Sequence, residues 1–521
     1  MDFDAIVIGS GFGGAVSACR LAQGGARTLV LERGQRWDRG NYPLRSGDWL
    51  WDQHDPVGRH GWLDLRLFRH MAVAQGAAVG GGSLIYANVS AVPPRATFDL
   101  GWPPDIGWDS LAPHYTTVGQ MMNVQTVPDG QWPERMKLMK EAADAIGAGD
   151  RFRKLELAVS FSPDWHYGLA DAVDTSHSRR FVNAHGVEQG TCVHLGNCDI
   201  GCDADAKNTL DRNYLAVAER HGAEIRPLHL ATTIERIEGG YRVHYERIDD
   251  GQRRAGSATA QRVILAAGSL GSTELLLKCR DVARTLPDVS PFLGRSWSSN
   301  GDFLTPAYHS NRRPDPSVGP TITSTIDFLD RSEGGESFWI QDGGFPDVVA
   351  GWIRDGESAH PKVRMMLKAI RRALTASGPT DRIMPWFAQG VDAADGRLGL
   401  RRRWWLLGQH QLTLDWQIKR SQMVMDAIVA MHRRLAAATG GTPLVPFTWT
   451  RLKYLVTPHP LGGCNMGTSR ENGVIDHAGR VFGYPGLHVL DGAIVPEAVG
   501  VNPSRTIAAL AERAMVEIAA E

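Results

Sequence analysis

A histidine held between two prolines is the residue of this sequence best suited to acid–base chemistry. His459 follows Pro458 and precedes Pro460, and both prolines restrict the backbone around it. An imidazole changes its charge near neutral pH, so a fixed imidazole can take a proton from a hydroxyl group. Taken alone, however, a single histidine is more often a packed or surface residue than a catalytic one.

A polar side chain close to the C-terminus could assist such a reaction. Asn502 precedes Pro503 in a short segment before the last helical pattern. Its amide both donates and accepts hydrogen bonds, so it can hold a hydroxyl or alkoxide-like oxygen in register. Asn-Pro before a helix is also an ordinary helix-entry turn, and only the context of other motifs favours the catalytic interpretation.

The N-terminus carries a glycine-rich turn that could bind a dinucleotide. A short apolar run over residues 5–8 is followed by Gly9, Gly11 and Gly14 in the spacing G-x-G-x-x-G, and then by a helical pattern. In such a turn the first glycine makes the bend, the second admits a pyrophosphate, and the third lets helix and strand pack closely. Glu32 ends the next apolar run, where a carboxylate can accept hydrogen bonds from ribose hydroxyls and repel a 2′-phosphate. Together these features predict a Rossmann-type dinucleotide site.

Two further segments have the composition of ligand-binding turns. Residues 79–85, Val-Gly-Gly-Gly-Ser-Leu-Ile, bring glycines together so that backbone amides can approach a flat ring or a phosphate closely. An apolar run over residues 263–267 ends at Gly268, which begins a helix at the carboxyl end of a strand. A flexible hairpin and a plain strand-to-helix crossover are the alternatives for these two segments.

The order of these motifs resembles that of the glucose–methanol–choline (GMC) oxidoreductases. The segments Gly-Gly-Gly-Ser-Leu, His-Pro-Leu-Gly-Gly-Cys and Gly-Val-Asn-Pro are most similar to the cholesterol oxidase-like branch of that family. The match covers the whole cofactor domain, while the middle of the chain matches more loosely. The resemblance implies FAD as the cofactor and the oxidation of an alcohol to a ketone or aldehyde by hydride transfer to flavin N5.

The resemblance also implies which residues serve the reaction. His459 and Asn502 would lie over the N5 edge of the flavin as the catalytic pair. Because no histidine lies in residues 80–88, the histidyl–flavin bond of some family members is not expected, and FAD would be held non-covalently. The cofactor-binding residues indicated by the motifs and the resemblance are Gly9, Gly11, Gly14, Glu32, Gly81, Gly82, Ser83, Asn88, Ala231, Gly268, Asp491, Gly492 and Asn502.

The substrate that the resemblance implies is a bulky, apolar alcohol such as a sterol. Cholesterol oxidases also use a glutamate to isomerise the steroid double bond, and alignment of residues 338–346 places Gln341 at that position. An amide cannot take a proton from carbon, and Asp342 would face the opposite side of a strand. The sequence therefore predicts oxidation without isomerisation, although a shift of one residue would bring Asp342 into the pocket.

Two other functions remain open at this point. One is an FAD dehydrogenase of a sugar or polyol that passes electrons to a protein or quinone acceptor. Cys192, Cys198 and Cys202 would then hold an iron–sulfur cluster, but buried thiols or a disulfide explain this spacing more simply. The other is a flavin-binding protein without redox turnover, against which the presence of both His459 and Asn502 argues. In the leading hypothesis, O₂ or another electron acceptor is the oxidant.

The strand and helix patterns, with the resemblance, predict an α/β (α+β) protein of two domains. A Rossmann-type FAD-binding domain is expected to be discontinuous, over residues 1–98, 186–300 and 456–521. A substrate-binding domain built on an antiparallel sheet would be inserted into it, over residues 99–185 and 301–455.

The composition limits the remaining partners and locations. The chain has 521 residues, of which 43% are hydrophobic and 22% charged, and a formal net charge of −1, so nothing favours nucleic acid as a partner. No signal peptide and no apolar run of about 18 residues is visible, which predicts a cytoplasmic protein. Residues 362–374 have an amphipathic pattern with basic flanks. A helix packed on the core explains that pattern more simply than a membrane surface, so we expect at most peripheral membrane contact.

The absence of histidine from residues 80–88 can be tested directly. We expect acid precipitation of the purified protein to release its yellow chromophore into the supernatant, because no side chain there can form the histidyl bond. Visible absorbance of supernatant and pellet measures the result. A chromophore that stays with the pellet would show a covalent link.

Overall fold

The computed structural model describes residues 1–42, 48–99, 101–249, 251–347, 351, 364, 368, 380–402 and 410–519. Within them the α-helices are α1 (Phe12–Gln23), α2 (Trp108–Met121), α3 (Glu134–Ala145), α4 (Tyr214–Arg220), α5 (Gly268–Leu277), α6 (Gln422–Ala438), α7 (Phe447–Thr450) and α8 (Ser504–Ile518). The strands are β1 (Phe3–Ile8), β2 (Thr28–Leu31), β3 (Leu50–Trp51), β4 (Leu63–Leu67), β5 (Met71–Gly76), β6 (Phe152–Lys154), β7 (Phe181–Val182), β8 (Glu188–Gln189), β9 (Glu224–Arg226), β10 (His229–Ile237), β11 (Gly240–Asp249), β12 (Gln252–Leu265), β13 (Phe303–Tyr308), β14 (Ser324–Phe328), β15 (Phe338–Asp342), β16 (Ile383–Gly390), β17 (Arg397–Arg402), β18 (His410–Asp415), β19 (Thr442–Pro443), β20 (Leu455–Thr457) and β21 (Leu487–Val489).

A parallel sheet joins the two ends of the chain. Its strands lie in the order β21–β12–β1–β2–β9. The last residues of β12 pair with β1 on one side and with β21 on the other. The central parts of β1, β2 and β12 are continuous apolar runs over residues 5–8, 29–31 and 263–265. Val7, Leu29 and Ile264 are completely buried, as is usual in parallel sheets covered on both faces. β10 and β11 continue this sheet as an antiparallel meander from the first half of β12.

A second, antiparallel sheet has the order β19–β13–β16–β15–β14–β6. Every residue of β15 is buried, and helices α3 and α6 pack against the sheet. The two sheets confirm the predicted fold class, a mixed α/β protein. The exact domain boundaries stay a prediction.

Residues 224–237 form two strands, β9 and β10, which belong to different parts of the sheet. Pro227 lacks an amide hydrogen for pairing, and Leu228 adopts a left-handed backbone conformation with φ of 58°. The chain therefore turns between the two strands, and β9 pairs in parallel with β2 while β10 pairs antiparallel with β11.

Candidate active site

A large cavity of about 1160 Å³ opens where strands of the parallel sheet end. Ile8 at the end of β1 and Leu31 at the end of β2 line it, as does Ala266 just after β12. The antiparallel sheet supplies the opposite wall, including Leu304 of β13 and Phe387 of β16. Ligands of open α/β sheets bind at this end of the strands, and the cavity is large enough for a dinucleotide together with a second molecule.

The first helix presents a free N-terminus to this cavity. Gly11 caps α1 without any side-chain hydrogen bond, and the first turn contains no acidic residue. A Cβ on Gly11 would meet no protein atom within 4 Å, whereas a Cβ on Gly14 would overlap the carbonyl oxygen of Gly9. Backbone amides and the helix dipole favour an anion here. The open space beside Gly11 therefore fits a pyrophosphate, and Gly14 is needed for packing.

Glu32 lies at the end of β2 with its carboxylate facing the same cavity. It accepts hydrogen bonds from the amide and hydroxyl of Ser10 at 3.0 and 2.7 Å and from the amide of Gly34 at 2.9 Å. Burial raises its pKa, and these hydrogen bonds oppose the rise. The carboxylate keeps acceptor capacity for ribose hydroxyls, so these residues fit the adenosine half of FAD.

Asp491 ties the last strand of the parallel sheet to the start of α5. Its carboxylate accepts hydrogen bonds from the amide of Gly268 at 2.9 Å, the hydroxyl of Ser272 at 2.5 Å and the amide of Ala493 at 2.7 Å. Burial raises the pKa of Asp491 to about 6. These hydrogen bonds hold the cavity wall in place at residues 268 and 492, both of which line the cavity.

The structure brings most of the predicted cofactor residues to the cavity, but three lie behind its surface. Ser83 donates to the carbonyl of Gly80 at 2.7 Å and accepts from the amide of Leu210 at 3.1 Å. Asn88 is buried with a φ of 65°, and neither polar atom of its side chain has a hydrogen-bond partner. The predicted residues that line the cavity are Gly9, Gly11, Glu32, Gly81, Gly82, Ala231, Gly268, His459, Asp491, Gly492 and Asn502, and those that do not are Gly14, Ser83 and Asn88.

His459 and Asn502 face each other across this cavity wall. Nδ2 of Asn502 lies 3.5 Å from Nε2 of His459, so one substrate oxygen can contact both groups. On its far side Asn502 accepts a hydrogen bond through Oδ1 from Nε2 of Gln341 at 2.8 Å. The amide of Asn502 is therefore oriented with its NH₂ group towards His459.

Three residues that the sequence patterns do not indicate hold this pair in place. Nδ1 of His459 lies 2.8 and 3.0 Å from the two carboxylate oxygens of Asp302, and the backbone amide of His459 donates to the hydroxyl of Thr457 at 2.9 Å. Asn300 donates to the carbonyl of Val501 at 2.8 Å and accepts from the amides of residues 499 and 500. The Asn-Gly pair at 300–301 predicts a turn but not these contacts.

Gln341 and Asp342 point in opposite directions, as neighbours in a strand do. Asp342 accepts hydrogen bonds from the backbone amides of Thr323 and Ser324 at 2.9 and 2.6 Å, and Arg135 lies 3.5 Å away. Burial raises the pKa of Asp342, which Arg135 and these hydrogen bonds oppose. In this register Gln341, and not Asp342, reaches the side chain of Asn502.

The cysteines that could have ligated an iron–sulfur cluster carry free thiols. Cys192 is buried and Cys198 and Cys202 are half-buried, and burial raises the pKa of Cys192 and of Cys202. Among the described residues, no group of three or more His, Cys, Asp and Glu side chains is placed to hold a metal ion. The described residues therefore offer no set of ligands for the iron–sulfur cluster that the sequence left open.

The membrane-related expectations concern segments that are described only in part. None of the helices in the described ranges combines the length and apolarity required to cross a bilayer. Apart from Arg364 and Lys368, the amphipathic segment 362–374 lies outside the described residues.

Family models match both ends of the chain. The model described as GMC oxidoreductase matches residues 394–511, and the model described as FAD binding domain matches residues 4–46. A cholesterol oxidase of Acinetobacter baumannii is 31% identical over 544 residues, covering 100% of this chain and 95% of the relative. A cholesterol oxidase of Mycobacterium tuberculosis (strain ATCC 25618 / H37Rv) is 33% identical over 541 residues, covering 98% and 90%.

More distant similarity extends to other alcohol oxidases and to solved structures. A long-chain-alcohol oxidase of Arabidopsis thaliana is 25% identical over 551 residues, covering 97% of this chain and 65% of the relative. The crystal structure of pyridoxine 4-oxidase from Mesorbium loti matches with a TM-score of 0.63 and 17% identity over 99% of both chains. A fungal aryl-alcohol oxidase matches with a TM-score of 0.62 and 16% identity over 100% of this chain and 99% of that one. At such identities the two structures show a shared fold.

The glycine turn provides a matched pair of variants. In Gly11→Ala the new methyl group meets no protein atom, so the protein should fold while FAD binds about tenfold or more weakly, because the methyl occupies the pyrophosphate space. In Gly14→Ala the methyl overlaps a backbone carbonyl, which should cost about 1–3 kcal/mol of folding free energy. FAD titration and thermal melting of the FAD-free protein measure both. A Gly14→Ala protein that melts like the parent contradicts the packing role.

Proposed function

Because the chain belongs to the GMC oxidoreductase family, in its cholesterol oxidase-like branch, we propose that it oxidises a bulky, apolar alcohol such as a sterol. It is an FAD-dependent oxidoreductase that acts on the CH–OH group of a small molecule, with an oxidant such as O₂. One observation supports the oxidation of a bulky, apolar alcohol best. At the wall of an apolar cavity, the side chains of four residues form a hydrogen-bonded row in the order Gln341, Asn502, His459 and Asp302.

In the proposed mechanism, His459 takes the hydroxyl proton of the alcohol at Nε2. Asn502 donates a hydrogen bond to the same oxygen through Nδ2 and holds it as its negative charge grows. When bound, FAD supplies the acceptor for the hydride that leaves the alcohol carbon. The turn at Gly9, Gly11 and Gly14 with Glu32 would hold the pyrophosphate and the adenosine ribose.

The lining of the substrate side favours an apolar molecule over a sugar or polyol. Each hydroxyl of a buried sugar needs a hydrogen-bond partner, since an unpaired one costs free energy on leaving water. Mostly apolar side chains line this part of the cavity instead. The loop before Tyr86 contributes one of them, and the antiparallel sheet and its loops contribute the others: Ile85, Leu304, Ile322, Phe345, Pro385 and Phe387. A rigid hydrocarbon skeleton with one hydroxyl group matches such a lining.

Removal of either proposed catalytic side chain should slow the chemical step and leave the cofactor bound. We expect His459→Ala and Asn502→Ala to reduce the rate of anaerobic flavin reduction by an alcohol about a hundredfold or more. Stopped-flow absorbance measures the rate, and the flavin-to-protein ratio checks occupancy. Reduction at the parent rate in either variant would remove that residue from the mechanism.

The substrate itself can be identified by testing a panel of alcohols with O₂ and with a dye as the electron acceptor.

The proposal includes oxidation of a sterol without movement of its double bond. Isomerisation needs a carboxylate that carries a proton from one ring carbon to another, and the side chain beside Asn502 is the amide of Gln341. An amide has no useful basicity. Asp342, the adjacent carboxylate, is engaged with Thr323, Ser324 and Arg135 away from Asn502.

Product analysis with a 3β-hydroxy-5-ene sterol tests this point. The parent should release mainly the unconjugated 5-en-3-one, and Gln341→Glu should add the conjugated 4-en-3-one, because it places a carboxylate at the same site. The ultraviolet band of the conjugated enone distinguishes the two products. Asp342→Asn is the matched control and should leave the product ratio unchanged. Conjugated product formed by the parent and lost in Asp342→Asn would contradict the assignment.

A further inference from the structure

Asp302 is a fully buried carboxylate that contacts His459 with both oxygens. The distances from Nδ1 are 2.8 and 3.0 Å, and the side chain of Asp302 is completely inaccessible to solvent. Thr457 fixes this pair from the other side, because its hydroxyl lies against Asp302 and accepts from the backbone amide of His459. The carboxylate and the imidazole are therefore held together by one short strand end, β20.

The hydrogen bonds along this row share one direction. Gln341 donates to Asn502, and the NH₂ group of Asn502 faces Nε2 of His459. An NH₂ group only donates, so Nε2 must offer its lone pair. An ionised carboxylate only accepts, so Nδ1 must carry the proton. Both ends of the row thus require the same tautomer of His459, with the proton on Nδ1.

We propose that Asp302 is a positioning residue: its carboxylate holds His459 in the Nδ1–H tautomer and stabilises the imidazolium formed when Nε2 takes the substrate proton. This inference rests on the proposed role of His459. In that step the O–H bond breaks and the proton moves to Nε2. The C–H pair of electrons leaves with the hydride for bound FAD as the carbonyl double bond forms.

Asp302 is the charged side chain in direct contact with the imidazole of His459. The elements packed around the imidazole present Phe387, Asn502 and Thr457 to it, none of which titrates in the working range. Burial raises the pKa of Asp302, while His459 and the hydroxyl of Thr457 lower it. His432, whose ring packs on Phe303, the residue after Asp302 in the chain, is kept neutral because burial lowers its pKa to about 3.

Asp302→Asn separates the charge of this residue from its shape. The amide oxygen can still accept from Nδ1–H, but the negative charge is gone. We expect anaerobic flavin reduction at saturating alcohol to slow about tenfold to a hundredfold, with the dissociation constant of the alcohol unchanged. The acidic limb of the pH–rate profile should move to lower pH, because the imidazolium loses the charge that stabilises it.

Asp327→Asn is the matched control. Asp327 is a carboxylate of β14 that pairs with Arg153 outside the cavity, so its loss should leave both the rate and the pH profile as in the parent. Reduction by Asp302→Asn with the rate and pH profile of the parent overturns the proposal. A slower rate with an unshifted profile also overturns it, because a merely structural role predicts that result.

The tautomer can be read without any variant of Asp302 and without substrate. In the FAD-bound enzyme labelled with ¹⁵N-histidine, the signal of His459 is identified by its loss in His459→Gln. A protonated Nδ1 with a bare Nε2 supports the proposal, and a protonated Nε2 overturns it. Inactivity of the parent on every alcohol would contradict the proposed function instead, and the tautomer would still decide what Asp302 does.

Discussion

The geometry of the site depends on a short buried segment, residues 300–302, which contacts both halves of the proposed catalytic pair. Asn300 binds the backbone before Asn502, and Asp302 binds the ring of His459. Both side chains are inaccessible to solvent, so loss of one of their hydrogen bonds would leave a buried polar group unpaired, which costs free energy of folding. Because β13 begins directly after this segment, the antiparallel sheet and the catalytic pair are fixed to each other by the same few bonds.

Close backbone contacts do the same for the cofactor side. A Cβ on Gly13 would overlap the carbonyl oxygen of Leu490, and a Cβ on Gly462 would overlap that of Ser296. The first contact brings α1 against the end of β21, and the second brings the segment after His459 against the segment that leads to Asn300. Glycine is required at both places because any side chain would force the backbones apart.

Buried carboxylates recur around the cavity, and each is held by several donors. Glu32, Asp302, Asp342 and Asp491 all have their pKa raised by burial and opposed by hydrogen bonds. Three of them order backbone amides at the edges of the site, whereas Asp302 contacts a titratable ring. A buried carboxylate therefore orders the backbone at three of these positions, and the proposed role of Asp302 in the chemistry follows from its imidazole partner.

The sequence by itself determined the glycine turn between β1 and α1, the place of Glu32 at the end of β2, the alternation of Gln341 and Asp342, and the family, because those features depend on local spacing or on a strand's period of two. That the turn and Glu32 bind FAD stays a proposal. The sequence also indicated His459 and Asn502, whose catalytic roles stay a proposal. Only the tertiary structure decided that Asp302 and Asn300 meet them, since partners 157 and about 200 positions away leave no local pattern. It also decided that Ser83 and Asn88 lie behind the cavity wall, because a motif specifies that a loop bends near a ligand but not which of its side chains face inward.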